Sequence, residues 1–360
     1  EVLVMGGTES RPAGQSNTTA RTKKILRKLI PPAWWQKMRD RQLLRFDRYA
    51  RQQLEATISR FQPDLIYERA NYLQTSGVRA AQLTGTLHFL EMNSPYTEEK
   101  SELDGARGLQ NRADHAEAEQ LHSSDHILPV SSALQEYLQE KHQVPARKFT
   151  VLPNAINPKK LNVDVDRVTA LRKAHQLEGA TVAGWVGSIQ PWHGISTMID
   201  AFAGMTESDR QSQRLLIVGG GETLDLMQAR AAAGPAKDQI IFTGKVPHQD
   251  VFPYLELMDI CLLPDTKWYC SPIKIFEYGA MGKAIVAANH ASVRDVMEAD
   301  LDGLIIEPEA QELREALVKL APKPALRERL GQQFREKVLR EHTWQANAAQ
   351  VIGIAEEMKS

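Results

Sequence analysis

The sequence predicts an α/β protein of two successive doubly wound units, each with a mostly parallel sheet. Three observations lead to this prediction. The 360 residues are long for one hydrophobic core and suit two. Apolar runs of strand length alternate with helical stretches, as in β-α-β units. The alternation restarts after INPKKLNVDVDRV (156–168), which we interpret as the connection between domains.

The first unit is predicted over 1–158, with the strand-like EVLVMGG at its start. Further strands are predicted at DLIYE (64–68), LHFLEM (87–92), HILPVS (126–131) and FTVLPN (149–154). Helices are predicted at SGVRAAQLTG, ending at Gly85, over about 103–123, and at SALQEYLQEKH. Strands and helices therefore alternate through this unit.

The second unit is predicted over 159–340. Its strands are TVAGWVGS (181–188), RLLIVGGG (214–221), QIIFTG (239–244), DICLLP (259–264), KAIVAA (283–288) and GLIIEP (303–308). Its helices are ISTMIDAFAGM, ETLDLMQARAAA, VFPYLELM, SPIKIFEYGAMG, which Gly282 stops, and further helices from about 310. We expect a last helix, 341–360, to pack back on the first unit. Ligands of such sheets bind beyond the carboxyl ends of the strands, so a site is expected in the cleft between units.

Composition excludes several classes of protein. The formal net charge is -1, which gives no overall field for nucleic acid. Two cysteines, Cys261 and Cys270, favour neither a disulfide framework nor a zinc site and fit a reducing cytosol. The sequence has no apolar run of membrane-spanning length and no signal peptide. We therefore expect a cytoplasmic protein.

Residues 21–51 form a strongly basic segment, with eleven Lys and Arg against only Asp40 and Asp47. One interpretation is an amphipathic segment on an anionic membrane surface, beside Trp34 and Trp35. The other is a solvated helix pair with both tryptophans packed into the domain. We favour the second, because charge runs are usually solvated faces.

The turn VGGGE (218–222) follows a predicted strand and precedes a predicted helix. Gly219, Gly220 and Gly221 would let the backbone approach a ligand, and the helix N-terminus behind them favours anions. Tight packing alone would also explain three glycines. The turn lacks the G-x-G-x-x-G spacing of an NAD site.

The segment WYCSPIKIFEYGAMGKAIVA (268–287) is more specific. Ser271 is predicted as the N-cap of a short helix whose free N–H groups can hold a diphosphate. Glu277, on the same helix, would accept hydrogen bonds from a ribose diol; a salt bridge with Lys283 is the alternative. Lys274 would meet phosphate or pair with Glu277.

These segments resemble the retaining GT-B glycosyltransferases of family 4, also called glycosyl transferases group 1. The second unit carries the resemblance in GWVGSIQPWHGISTMIDAF, LLIVGGGE, IIFTGKVPHQDVFPYLELMDICLLP, SPIKIFEYGAMGKAIVA and DVMEADLDGLIIEP. The first unit adds PDLIYERANY, LEMNSP, HILPVSSALQEYL and FTVLPNAINP. The resemblance covers roughly residues 55–355 and implies two Rossmann-like domains facing a cleft.

The resemblance implies a role for each matching residue. Glu277 would bind the donor ribose, and Lys274 with Ser271 and Ile273 would meet donor phosphate or sugar. Gly219 to Gly221 would pass beside the nucleotide, and Lys245 and Val246 would contact its base. In the first unit, Asn93 of LEMNSP would orient the acceptor or the transferred sugar, with a core polar network as the alternative. Glu68 and Arg69 end a neighbouring strand, with a mutual ion pair as their alternative.

The sequence departs from the family pattern at three positions. Tyr269 stands where the first glutamate of the Glu-x7-Glu element is expected. Ser188 and His193 stand where the family has Arg and Lys against the diphosphate. A protonated His193 would supply part of that charge; a neutral packed imidazole is the alternative. EVLVMGG resembles the family's second strand, so we expect the first strand and its Gly-rich loop to be absent.

The resemblance implies transfer of a sugar from a nucleoside diphosphate sugar to a carbohydrate or lipid-linked acceptor, with retained configuration. We expect no cofactor beyond this co-substrate, and no metal at the Asp-Leu-Asp triplet 300–302. Two alternatives stay open: a non-catalytic nucleotide-sugar-binding homologue and a nucleotide-sugar epimerase.

Overall fold

The computed structural model describes residues 2–3, 32–104 and 108–360. The first part of the chain forms helices and strands in the order α1 (Pro32–Phe61), β1 (Leu65–Arg69), α2 (Ser76–Thr84), β2 (Leu87–Met92), α3 (Tyr96–Asp104), α4 (Gln110–Ser123), β3 (His126–Pro129) and α5 (Ser132–His142). Strands β1, β2 and β3 are neighbours in that order, and β2 pairs with β3 in parallel. EVLVMGG lies almost entirely outside the described residues.

The second part of the chain continues the alternation. Its elements are α6 (Val165–Ala174), β4 (Thr181–Val186), α7 (Ile195–Ala203), α8 (Glu207–Gln211), β5 (Gln213–Val218), α9 (Leu224–Ala232), β6 (Ile240–Gly244), α10 (Val251–Glu256), β7 (Ile260–Leu263), α11 (Ile273–Ala280), β8 (Ala284–Ala288), α12 (Ala291–Arg294), β9 (Leu304–Ile306), α13 (Ala310–Leu320), α14 (Pro324–Glu341) and α15 (Trp344–Lys359).

The second sheet is parallel throughout and has the strand order β6-β5-β4-β7-β8-β9. The order reverses between β4 and β7, which is the topological switch point of a doubly wound sheet. Hydrophobic clusters cover both faces, and Trp185 and Tyr278 are among the largest fully buried side chains. Burial on both faces explains why these strands are continuous apolar runs. The predicted α/β class is confirmed.

Two predicted elements were wrong in detail. The helix predicted over 103–123 is two helices, because the buried Asp40 carboxylate accepts the Leu109 N–H at 2.9 Å and sets a new helix start there. FTVLPN makes only an isolated bridge, although Thr150 and Leu152 donate to carbonyls of β3. Pro129 has no N–H to return a bond, so the ladder does not continue.

Contacts divide the chain into two compact units. One unit ends at His88 and also contains Tyr96–Ser124, and the other comprises Phe89–Pro95 and Asp125–Ser360. The domain boundaries inferred from the sequence, at 158 and 340, stay a prediction.

Helix α1 spans the described part of the basic segment; residues 21–31 lie outside the described residues. The two acids of the segment are buried and serve the backbone of other helices. Asp47 accepts the N–H groups of Thr75 and Ser76 at 2.9 and 2.8 Å, and so caps α2. Because Asp40 serves α4 in the same way, the exposed face of α1 is left with the basic side chains.

The prediction that Trp34 packs into the domain was wrong, since 67% of it is exposed. Trp35 is half-buried. The rest of the basic segment, residues 21–31, lies outside the described residues. Within residues 32–104 and 108–360, none of the helices has both the length and the apolar character needed to cross a membrane.

Candidate functional site

The switch point brings two loops together at the carboxyl ends of β4 and β7. Gly187 and Ser188 follow β4, and Pro264 and Asp265 follow β7. The β4 loop then makes a single 3-10 turn, Pro191–His193, and enters α7 through Gly194 in the left-handed region (φ +63°). A Cβ on Gly194 would lie 3.0 Å from Cβ of Asp265, so the two loops are in close contact. This is the edge at which doubly wound sheets bind ligands.

The glycine turn after β5 packs against the β4 loop. A Cβ on Gly219 would lie 1.9 Å from the carbonyl oxygen of Gly187, and one on Gly221 would lie 2.1 Å from that of Ile189. Packing alone therefore requires glycine at both positions. A Cβ on Gly220 would instead lie 3.5 Å from Cβ of Lys245, an ordinary contact. The three predicted glycines thus line the same edge of the sheet as the β4 and β7 loops.

Helix α11 begins at Ile273 with Pro272 at its N-cap, and no side chain caps it. The prediction that Ser271 is the N-cap was wrong, because Ser271 Oγ instead accepts the backbone N–H of Asn154 at 3.0 Å. The N–H groups of Ile273 and Lys274 precede the first i to i−4 bonds of the helix. The start of α11 therefore presents unsatisfied donors and the positive end of a helix dipole.

Lys274 points from α11 back across the end of β4. Its ammonium lies 5.1 Å from the centre of the Trp185 ring, and Gly187 leaves room for the side chain. Burial lowers the pKa of Lys274, and the charge of Glu277 opposes that shift. The Lys274 ammonium forms no hydrogen bond or ion pair with another residue in the described part of the chain.

Glu277 lies one turn further along α11. Burial raises its pKa, whereas Lys274 and His248 lower it. The suggested salt bridge with Lys283 is not formed: Lys283 Nζ lies 3.1 Å from Glu256 Oε2 and also donates to the Glu256 carbonyl. Over residues 32–104 and 108–360, no hydrogen bond or ion pair engages the Glu277 carboxylate. A half-buried carboxylate in this state is ready to accept donors from a ligand.

His193 packs against the β4 loop. Its Nδ1–H donates to the carbonyl of Ser188 at 2.7 Å, and its ring centre lies 5.3 Å from that of Trp185. Burial, and then the charge of Lys274, lower its pKa to about 4, while Ser188 and Asp265 act in the opposite direction. These contacts favour the packed neutral imidazole in the ligand-free protein, and protonation of His193 beside a bound diphosphate stays a prediction.

Sequence reasoning missed two residues at this edge. Asp265 Oδ1 lies 2.9 Å from His290 Nε2 and accepts the Thr266 N–H at 2.8 Å. Asp265 follows β7 and His290 follows β8, which are neighbouring strands. Their position just beyond two strand ends was a usable signal, but only once the strand order was known. Asp265 is the one carboxylate that raises the pKa of His193 among the described residues.

The other predicted residues occupy mixed surroundings. Lys245 is exposed, and Val246 is half-buried against the hydrophobic core. Ile273 is exposed at the start of α11. Asn93 donates from Nδ2 to Glu91 Oε1 at 2.5 Å, beyond the end of β2.

Glu68 and Asp302, two acidic residues singled out from the sequence, have structural partners. Glu68 Oε2 lies 2.9 Å from His88 Nε2, and His88 Nδ1 lies 3.0 Å from Ser124 Oγ. Asp302, the last residue of the Asp-Leu-Asp triplet, accepts from Lys337 Nζ and from the Glu298 N–H, both at 2.9 Å. Asp302 is buried, so its role there is structural.

Two family models match the chain in succession. Residues 2–160 match Glycosyltransferase Family 4, and residues 168–337 match Glycosyl transferases group 1. The chain belongs to the group 1, family 4 glycosyltransferases. The boundary between the two matches falls in the segment interpreted from the sequence as the interdomain connection.

Curated relatives of this family 4 chain include Alpha-D-kanosaminyltransferase of Streptomyces kanamyceticus, 24% identical over 64% of the chain and 60% of the relative. Phosphatidyl-myo-inositol mannosyltransferase of Mycobacterium leprae is 29% identical over 57% of the chain and 52% of the relative. The chain thus spans about half to three fifths of the length of these relatives.

Solved structures share the fold of this family 4 chain. A glycosyltransferase from Rickettsia africae has a TM-score of 0.70 at 14% identity, covering 87% of this chain and 81% of that one. HepE of Anabaena, in complex with UDP and glucose, has a TM-score of 0.66 at 15% identity, covering 84% and 80%. They confirm the predicted GT-B fold class.

The depressed pKa of His193 predicts a pH-dependent contribution to stability. An unfolded histidine takes up a proton near pH 6.5, but folded His193 does so only near pH 4. The folded state is therefore favoured above pH 6.5, and this contribution is lost as pH falls from 6.5 toward 4. When the pH is lowered from 7 to 5, the unaltered chain should lose more unfolding free energy than His193→Gln does. The difference should be about 1 kcal/mol, allowing for solvent screening.

Urea denaturation at pH 7 and pH 5 measures this difference. His115→Gln, on the exposed side of α4, is the matched control and should follow the unaltered chain. An equal loss of stability on acidification in His193→Gln and the unaltered chain would contradict the buried neutral state.

Proposed function

We propose that this chain transfers a sugar from a nucleoside diphosphate sugar to an acceptor hydroxyl, with retained anomeric configuration, in glycan, polysaccharide or glycolipid synthesis. The observation that carries this proposal is the start of α11. There Lys274, Glu277 and two unsatisfied N–H groups meet at the switch point of the second sheet. Membership of family 4 supports the same conclusion.

Each part of a nucleoside diphosphate has a complementary group at this edge. The N–H groups of Ile273 and Lys274 suit diphosphate oxygens, as helix N-termini do in general. The Lys274 ammonium adds a positive charge with no competing hydrogen bond in the described residues. Glu277, about one turn after the start of the helix, suits a ribose diol, because the diol's hydroxyls can donate to its carboxylate. Gly219 to Gly221 and Lys245 with Val246 would border the nucleoside.

The reaction follows from the resemblance to retaining family 4 enzymes. The bond from the anomeric carbon to the diphosphate oxygen breaks, and a bond to the acceptor oxygen forms on the same face of the sugar. The acceptor's proton passes to the departing diphosphate. The protein's part is to position both substrates and stabilise the negative charge that develops on the leaving group. The α11 N-terminus and Lys274 would do so together with Ser188, and His193 would add to them once the diphosphate's charge favours its protonated form. Asn93 would orient the acceptor side.

A structural neighbour supports UDP as the first nucleotide to test, since HepE was solved with UDP and glucose. A non-catalytic homologue would bind donor without transferring its sugar. An epimerase would convert donor when no acceptor is present. Product analysis with donor alone, and then with acceptor, separates these two alternatives from a transferase.

Binding of a nucleotide tests the donor site directly. We expect one of UDP, GDP, dTDP and ADP to raise the melting temperature by several degrees, since a ligand at a hundredfold its Kd stabilises by about 2.7 kcal/mol. Glu277→Gln removes one charged acceptor from the ribose and should weaken that nucleotide about tenfold. Isothermal titration measures the Kd, and Glu178→Gln, an exposed carboxylate in a turn, is the matched control. No shift with any of the four nucleotides would contradict the proposed donor site.

We further propose that the chain works in the cytoplasm and contacts an anionic membrane surface through α1, where a lipid-linked acceptor would lie. Trp34, Met38, Arg41, Arg45 and Tyr49 recur at helical spacing and are all exposed. Exposed aromatic and basic side chains on one helix face suit the interface of an anionic bilayer. The buried Asp40 and Asp47 leave that face without their negative charge.

Co-sedimentation with vesicles tests this contact. Each basic residue near an anionic surface contributes about 1 kcal/mol, so the double variant Arg41→Ala/Arg45→Ala should lower the bound fraction at least tenfold. Binding should require phosphatidylserine or phosphatidylglycerol and weaken with salt. The control, Lys237→Ala/Lys323→Ala, removes two exposed lysines outside α1. Binding that is indifferent to anionic lipid would overturn the proposal.

A further inference from the structure

Asn154 makes two hydrogen bonds to Ser271, the residue two positions before α11. The Asn154 backbone N–H donates to Ser271 Oγ at 3.0 Å, and the Asn154 side-chain Nδ2 donates to the Ser271 carbonyl at 2.7 Å. The two residues are 117 positions apart in sequence, and Ser271 is buried. The turn that leads into α11 is therefore fixed from a distant segment of the same compact unit.

Asn154 is itself held on both sides. The Asn347 side chain donates to the Pro153 carbonyl at 2.8 Å. Ile156 exchanges two backbone hydrogen bonds with the residues around Thr343, from Ile156 N–H to the His342 carbonyl at 3.0 Å and from Trp344 N–H to the Ile156 carbonyl at 3.1 Å. Segment 153–156 therefore has little freedom, so it can set the position of Ser271.

The same loop has a second brace. Ser131 Oγ donates to the Tyr269 carbonyl at 2.9 Å while accepting the N–H of Leu134 as the N-cap of α5. The carbonyls of Tyr269 and Ser271 are thus both turned toward partners in the 131–154 region. Neither of these two carbonyls is therefore turned toward the N–H groups at the start of α11.

The contacts of Ser271 determine where its hydroxyl hydrogen can point. Oγ already accepts the Asn154 N–H, so the hydroxyl must donate in another direction. No acceptor for this hydrogen is found in the described part of the chain. A phosphate oxygen at the start of α11 would supply one.

From these contacts we propose that Asn154 is a positioning residue for the donor diphosphate. It acts through Ser271, holding the hydroxyl and the first N–H groups of α11 toward the phosphates. The proposal rests on the proposed function and adds to it a residue outside the donor strands. Asparagine is needed because aspartate would place a carboxylate oxygen against the Ser271 carbonyl, and alanine would leave that carbonyl without its donor.

Comparison of a nucleoside with its diphosphate tests this role. The probe is whichever of UDP, GDP, dTDP and ADP binds the unaltered chain, together with the matching nucleoside, both by isothermal titration. Asn154→Ala and Ser271→Ala should each weaken the diphosphate about tenfold and change the nucleoside Kd less than twofold. The double variant should weaken the diphosphate by less than the product of the two single effects, because both substitutions act through residue 271. The control is Asn157→Ala, whose side chain bonds the nearby Lys159 N–H alone among the described residues.

The outcomes separate this proposal from the proposed function. Equal weakening of nucleoside and diphosphate in Asn154→Ala, or no weakening at all, would show a merely structural role and overturn the proposal alone. If the unaltered chain binds none of the four diphosphates, the proposed function fails and this proposal fails with it. If Asn154→Ala does not fold, Ser271→Ala and the isosteric Asn154→Asp decide the matter by the same comparison.

Discussion

Lys274 and Glu277 lie three residues apart on α11 and are both half-buried. Burial lowers the pKa of Lys274 and raises the pKa of Glu277, which favours the neutral form of each. Neither side chain has a hydrogen-bond partner among the described residues. Such a pair is costly unless the surrounding structure holds it in place. The rest of the site follows from this constraint, because the elements around α11 fix the helix while leaving its charged face open.

Three features hold α11. Its other face is hydrophobic, with Ile275, Phe276 and Tyr278 fully buried in the core. The Tyr278 hydroxyl accepts the N–H of Val186 at 3.1 Å and ties the helix to the end of β4. The third feature is the brace from Asn154 to the turn before the helix. A rigid helix can keep desolvated charges exposed to a ligand, which a mobile loop could not do at the same cost.

A common device appears in both compact units. Asp47, Asp40 and Asn154 each satisfy backbone groups at the start of a distant helix or in the turn before one. A buried backbone group without a partner is costly, so these long-range hydrogen bonds decide where helices begin. In the first unit these hydrogen bonds fix the starts of α2 and α4, and in the second they fix the turn before α11 at the candidate site.

Local pattern was enough to predict most strands and helices, because the sheets are parallel and their strands are plain apolar runs. α5 and β2 were predicted at their observed bounds. Features that depend on distant residues were not predictable. They are the start of α4, which Asp40 determines, the bond of Ser271 to Asn154 in place of a helix cap, and the pairing of Asp265 with His290.

The charge state of His193 was equally beyond local pattern. Its pKa is set by burial against Trp185 and by Lys274, neither of which its neighbours in sequence reveal. The glycines of 219–221 were located correctly at the edge of the sheet. The sequence left open whether these glycines serve packing or a ligand. Close packing against the backbone of Gly187 and Ile189 explains Gly219 and Gly221.

The most direct test of the account is a crystal structure of this chain with UDP, or with whichever diphosphate binds it. The account predicts the diphosphate at the N–H groups of Ile273 and Lys274, with a ribose hydroxyl within hydrogen-bond distance of Glu277. A nucleotide bound elsewhere, or one whose ribose makes no contact with Glu277, would contradict it.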